Sequence, residues 1–243
     1  MWSIFVKEIA GFFSSLIGYV VVGLFLLFLG LELFIWPQSS ILENNYATLE
    51  QFFKTVPKVF AFLIPAITMR SFAEENQNGT IELLATRPLR DGQMVMGKFL
   101  AALALAGIAL LPTLLYYLTV YQLGAPKGNL DAGAVAGSYI GLFLLAAAFT
   151  AVGLLASAVN NNQIVAFLMA VLLCVLLHWG FDLISSLPVF TGRGDDVIQR
   201  IGMSAHYDSI SLGVIDSRDV VYFLSVILLF LAFTAAAVNS RKW

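Results

Sequence analysis

Six apolar runs, at roughly 16–36, 56–72, 94–121, 133–159, 164–183 and 220–238, take up most of the chain. In hydrocarbon every backbone N–H and C=O must find its partner within the segment, so such runs can only be helices or closed barrels. A helix rises ~1.5 Å per residue across a ~30 Å apolar core, which needs about 20 residues. The runs are continuous rather than alternating, and they have that length, apart from the shorter one at 56–72. With 60% hydrophobic and 12% charged residues among 243, and a mean hydropathy of +0.88, no water-soluble core could hide the apolar surface. The expected fold class is an all-α integral membrane protein: one transmembrane domain over residues 1–243 with six spans. No soluble domain is long enough to count separately.

Composition also removes several functions. A net charge of −2 and a pI near 5.6 give no basic footprint, so no nucleic-acid partner is expected. There is no G-x-x-x-x-G-K-[S/T] loop to cradle phosphates, so this chain is not expected to handle ATP by that means. Neither H-E-x-x-H nor G-x-S-x-G occurs, and no Cys/His cluster suggests a metal, so the chain is read as non-catalytic with no cofactor of its own. Cys174 is the single cysteine, inside an apolar run, and reads as a small hydrophobe. Glu32, His178 and Asp182 are ionisable groups in or near spans and carry the rival reading of an intramembrane enzyme. Glu32 lies a turn from the outer end of its span, where a carboxylate can reach interfacial water. His178 and Asp182, four apart, share a helical face and read as a polar pair rather than a ligand set.

Ahead of the first span, Trp2, Phe5, Val6, Ile9, Phe12 and Phe13 recur at helical spacing over residues 2–14. That pattern predicts an amphipathic helix in the membrane interface, in preference to a plain start of the first span. Residues 38–56 read as a polar connection with an amphipathic piece at Leu49, Phe52 and Phe53. Pro65 and Pro112 predict kinks in the second and third spans. Gly133, Gly137 and Gly141 predict close packing inside the bundle. Residues 184–218 form the largest outer segment, where Ile198, Ile201, Ile210, Leu212 and Val214 among charges predict partial burial.

The stretch from Arg70 to Lys98 is the one long polar insert with charges of both signs between apolar segments. Asn78 can cap a short helix, Glu82 then falls in its first turn, and Pro88 limits it to about two turns. Ile81, Leu83, Leu84 and Ala85 give it an apolar side. A helix so short is unstable alone and needs a surface to lie against.

The string Glu75, Gly79, Thr80, Glu82, Leu83, Leu84, Thr86, Pro88, in the order E-x-x-x-G-T-x-E-L-L-x-T-x-P, resembles the loop after the second span of ABC-2-type permeases. The segment from His206 to Asp219, with Gly213 and Asp216, resembles the region before the last span. There the closest likeness is to the permease subunit of gliding-motility-associated ABC transporters of Bacteroidetes-type bacteria. The resemblance implies an interfacial elbow at residues 2–14 and a cytoplasmic coupling helix in the insert. It also implies a separate ABC ATPase partner carrying ATP and Mg, and a second six-span permease, identical or different. The setting implied is a bacterial inner membrane with membrane lipid around the spans, and the function that of an exporter driven by ATP. A membrane scaffold that recruits an ATPase without moving a substrate stays open as the rival. Lys7, Arg70, Arg87, Arg90, Lys98, Arg241 and Lys242 fall on the inner side if both termini are cytoplasmic, four of them clustered around the insert, and that is the expected orientation.

Overall fold

A computed structural model describes residues 1–37, 40–41, 48–79, 91–124, 126–189 and 194–240. Helix α1 (Trp2–Ser14) leads into α2 (Leu16–Phe34). Helix α3 (Glu50–Thr68) is followed, after one turn, by the short α4 (Ala73–Gln77). Helix α5 (Asp91–Leu110) continues through a 3₁₀ turn (Leu111–Thr113) into α6 (Leu114–Leu123). Helix α7 (Ala132–Val159) precedes α8 (Gln163–Val175), a π-helical turn (Leu176–Gly180) and α9 (Phe181–Ser185). Two short helices, α10 (Asp195–Gln199) and α11 (Met203–Ser211), come before α12 (Ser217–Ser240). The described residues contain no strand. Among the described residues five helical stretches are long and apolar enough to cross a membrane, and the bent pair of α1 and α2 adds a sixth if taken as one span.

The second span, α3, starts at Glu50 rather than near the expected residue 56. Leu49, Phe52 and Phe53, read as an amphipathic connection, are buried and extend the span instead. The helix also runs through both of its prolines, Pro57 and Pro65. Pro57 has no N–H to give the carbonyl one turn earlier, that of Phe53. The Tyr207 hydroxyl donates to that carbonyl at 2.7 Å, so α11 supplies the bond that the proline removes. Burial holds the Tyr207 phenol well above its usual pKa, which keeps it a donor. At Pro112 the expected break is realised as the 3₁₀ turn, where the Thr113 hydroxyl donates to the Leu110 carbonyl at 2.6 Å.

Helix α7 is the central element, buried along most of its C-terminal half. Lipid tails are as apolar as leucine, so helices in a bilayer are held by close packing and polar contacts rather than by exclusion from water. Small residues supply the closeness. A Cβ at Gly153 would lie 2.2 Å from the Thr68 hydroxyl of α3. Gly137 and Gly141 face the outer segment: their Cβ atoms would lie 2.7 Å from the Gly213 carbonyl and 2.6 Å from Ile210. Gly213 in turn has φ +87 and sits where a Cβ would be 2.3 Å from the Ala134 backbone. The Asp131 carboxylate caps α7 by accepting from the N–H groups of Gly133 and Ala134 at 2.9 and 3.1 Å.

The outer segment buries a different set of residues from the one expected. Of its five apolar candidates Ile210 is buried and Ile198 partly so, while Ile201, Leu212 and Val214 are exposed. Met203, Tyr207 and Ile210 are the buried apolar side chains of α11, at spacings of four and three that put them on one face. The charges between them obscured that period in the sequence.

Candidate coupling site at the polar end of the bundle

The ends of α3 and α4, the start of α5, the end of α7 and the junction of α1 with α2 meet at one end of the bundle. Position 98 is a lone cation at the start of an apolar helix, and its side chain is 1% exposed. Such a charge costs several kcal/mol unless it is paired and hydrogen-bonded. Lys98 Nζ donates to Glu8 Oε1 of α1 at 2.6 Å and to the Ser71 carbonyl at 2.5 Å. It also lies 3.0 Å from Glu75 Oε2 of α4, an ion contact without the angle of a hydrogen bond, and 5.0 Å from the centre of the Phe72 ring. Lys7 reaches the other oxygen of Glu75 at 3.2 Å. Two cations and two carboxylates from three helices thus form one partly buried cluster. Gly97 brings α5 against α1: its Cβ would lie 3.2 Å from the Met1 carbonyl and 3.3 Å from Ile4.

The turn between α3 and α4 is pinned from a second side. The Ser157 hydroxyl accepts from the N–H groups of Phe72 and Ala73, both at 3.0 Å, and donates to the Met69 carbonyl at 3.0 Å. Asn76 Nδ2 donates to the carbonyls of Ala158 and Asn160 at 3.3 and 3.2 Å. One serine on α7 therefore takes up two donors that the start of α4 leaves without intrahelical partners.

Of the residues predicted for the docking insert, Glu75 is buried in the cluster, and Gly79 follows α4 with φ +66. Asn78, expected to open the next helix, closes α4 with right-handed backbone. Thr80, Glu82, Leu83, Leu84, Thr86 and Pro88 lie outside the described residues. On the expected elbow, Phe5, Ile9, Phe12 and Phe13 are partly buried, while Trp2 and Val6 are exposed and Ile4 is the buried side chain. Sequence reasoning missed Glu8, Ser157 and the burial of Lys98, which it had read only as a charge at the end of the insert. The lone lysine inside the apolar run GKFLAALAL was the available signal for that burial; nothing marked Ser157 among its small neighbours.

At the opposite end, His206 Nδ1 lies 2.7 Å from Asp219 Oδ1, and its Nε2 lies 2.9 Å from the Arg200 carbonyl. The ring stacks on Tyr222 at 3.9 Å. Asp216 accepts from the Arg218 N–H at 2.9 Å at the start of α12. The segment from His206 to Asp219 is therefore tied together and to the last long helix. His178 and Asp182 do not act as a pair. The π-helical turn sets His178 against Phe149, Trp179 and Tyr207, while Asp182 accepts from the Ser204 hydroxyl. Glu32 is partly buried and accepts from the Thr55 hydroxyl at 3.0 Å.

Long apolar helices around a small-residue core, with polar tethers gathered at both ends, define a multi-pass helical membrane protein. The family described as ABC-2 family transporter protein matches residues 2–237, and the chain belongs to that family. No curated protein matches it. Membership makes the chain a permease component of an ABC transporter and implies association with an ABC ATPase.

Proposed function

We propose that this chain couples ATP hydrolysis on a separate ABC ATPase to export of a substrate through the spans, with the insert after α4 as the docking element. The observation that carries this is the ion cluster. Glu75 stands on the entry side of the insert and Lys98 on its exit side; they touch each other, and α1 holds Glu75 through Lys7 and Lys98 through Glu8. A push on the insert is then delivered to α4, α5 and α1 together instead of being lost in a slack loop. In this reading Leu83 and Leu84 enter an apolar groove of the ATPase, and Glu82 pairs with the helix start or a basic residue of the partner. The insert and both termini are cytoplasmic, α1 serves as the interfacial elbow, and a second six-span permease, identical or different, faces this one across the pathway. The likeness of His206 to Asp219 supports a place among gliding-motility transporters of a bacterial inner membrane.

Replacing both leucines by Asp puts charge where apolar area is buried, at a cost of several kcal/mol in a dry, unpaired site. Since ~1.4 kcal/mol is tenfold in affinity, the double variant should release most of the ATPase while the spans stay inserted. Purification by a tag on this chain, with retained ATPase and thermal stability compared with wild type, makes the test. Full retention of the ATPase would remove the docking assignment. Retention with hydrolysis indifferent to substrate in the wild type would instead favour the scaffold.

A further inference from the structure

A cavity of about 350 Å³ opens beside the ion cluster, between α1, the start of α2, the end of α3 and α5. One wall is apolar, with Phe12, Ile67, Ala102 and Leu105, and the other carries Arg70, Glu74 and the cluster itself. Within the cluster Lys7 and Lys98 are matched by Glu8 and Glu75. Of the charged residues that line the cavity, that leaves Arg70 and Glu74 without an ion pair among the described residues. Arg70 Nη1 lies 3.4 Å from the Ser15 hydroxyl, and its buried Nε has no hydrogen-bond partner among the described residues. Glu74 is exposed, and a Cβ at Gly11 on the cavity wall would meet nothing within 4 Å.

A planar guanidinium with unspent donors is matched to a phosphate, which it can hold through two parallel N–H bonds. The position narrows the source. The site is where a polar helix end meets apolar spans, the level at which lipid phosphates lie, and its apolar wall can take the first carbons of an acyl chain. A second anion would meet Glu74, whereas an ammonium would be attracted to it. We propose that this cavity binds the headgroup of a zwitterionic phospholipid bearing a primary amine, its phosphodiester on Arg70 and its ammonium facing Glu74. The lipid then wedges the α1–α2 junction against α3 and α5. This site stands whether or not the insert docks an ATPase.

The test uses the full-length protein with its partner subunits, reconstituted in nanodiscs of equal phosphatidylethanolamine and phosphatidylglycerol, released and read by native mass spectrometry. Wild type should keep one phosphatidylethanolamine per chain in at least tenfold excess over phosphatidylglycerol. Arg70→Gln should lose that adduct at least tenfold, Arg70→Lys should keep part of it, and Lys127→Gln, at the other end of the bundle, should keep all of it. Gly11→Phe fills the cleft without touching either charge and should lose the lipid as well, which covers the case that Arg70→Gln fails to fold. Glu74→Gln should retain the phosphate and lose the preference between the two lipids. The proposal is overturned by equal retention in wild type and Gly11→Phe, by phosphatidylglycerol held as well as phosphatidylethanolamine in wild type, or by soluble phosphoethanolamine displacing the lipid at equal concentration.

Discussion

Lys98→Met isolates the contribution of the buried cluster. The side chain is nearly isosteric in its stem, so packing against Phe72 is retained while the charge disappears. Glu8 and Glu75 are 23% and 11% exposed, and after the substitution Lys7 is the one cation left in the cluster, itself 66% exposed and in reach of Glu75. Breaking a buried pair by removing one partner costs about 3–5 kcal/mol, because the remaining charge is stranded in a poor solvent. The partial exposure of Glu8 argues for the lower part of that range. At ~1.4 kcal/mol per decade this is a shift of about two decades in the unfolding equilibrium. The triple variant Lys98→Met, Glu8→Gln, Glu75→Gln removes the stranded charges too, and replacing a whole buried ion set by neutral groups is often neutral. Unfolding in mixed micelles should therefore show a large loss for the single change and recovery of most of it in the triple one. If the cluster also ties the insert to α1 and α5, the triple variant should retain its ATPase partner yet lose dependence of hydrolysis on substrate. A loss below about 1 kcal/mol in Lys98→Met would refute the desolvation argument, a scale expected only of an exposed pair. Full coupling in the triple variant would refute the mechanical one.

Two further outcomes follow from the end of the bundle opposite the ion cluster. Tyr207→Phe should cost about 1–3 kcal/mol by orphaning the Phe53 carbonyl, and Pro57→Ala, which restores an N–H one turn away, should make that cost much smaller in the double variant; additive losses in the unfolding cycle would contradict the assignment. Gly213→Ala should destabilise by more than the loss of a turn glycine alone, since φ +87 is compounded by the 2.3 Å approach to Ala134, and faster hydrogen exchange confined to residues 134–141 and 203–213 would register it; unchanged exchange there would mean that the close approach carries no load.

The spans were legible because burial in lipid demands a long apolar run, and that demand is written residue by residue. What failed was the start of α3. Its first turns are buried by protein on one face only, so Glu50 and Lys54 stay exposed and pair with each other at 2.5 Å, and the mixed composition read as a connection. The proline effects were half legible. Pro112 gave the expected break, but the repair at Pro57 depends on a tyrosine more than a hundred residues later, and no local window contains both. The His206 to Asp219 segment was singled out by resemblance, and its internal contacts give that string a physical reason: a ring nitrogen facing a carboxylate across the last turn before α12. The insert itself, from Thr80 to Pro88, rests on the resemblance and on its two flanks.

The flanks carry more than the insert's anchorage. In a bilayer a helix end can tilt or slide at modest cost, because lipid offers each apolar face nearly what a neighbouring helix does. Transmitting a movement from the end of α4 to the spans therefore requires contacts that are costly to break, and polar ones at the membrane boundary are costlier than apolar ones within it. Two such sets hold this turn: Ser157 joins it to α7, and Lys98 joins it to α1 and α5. The first engages backbone groups and fixes where the turn sits. The second is made of flexible charged side chains across three helices, so it can keep its pairs while the helices shift by an ångström or two. A rigid tether to the centre of the bundle and a compliant one to its edge would let α1 and α5 move relative to α7 without opening the buried cluster to lipid.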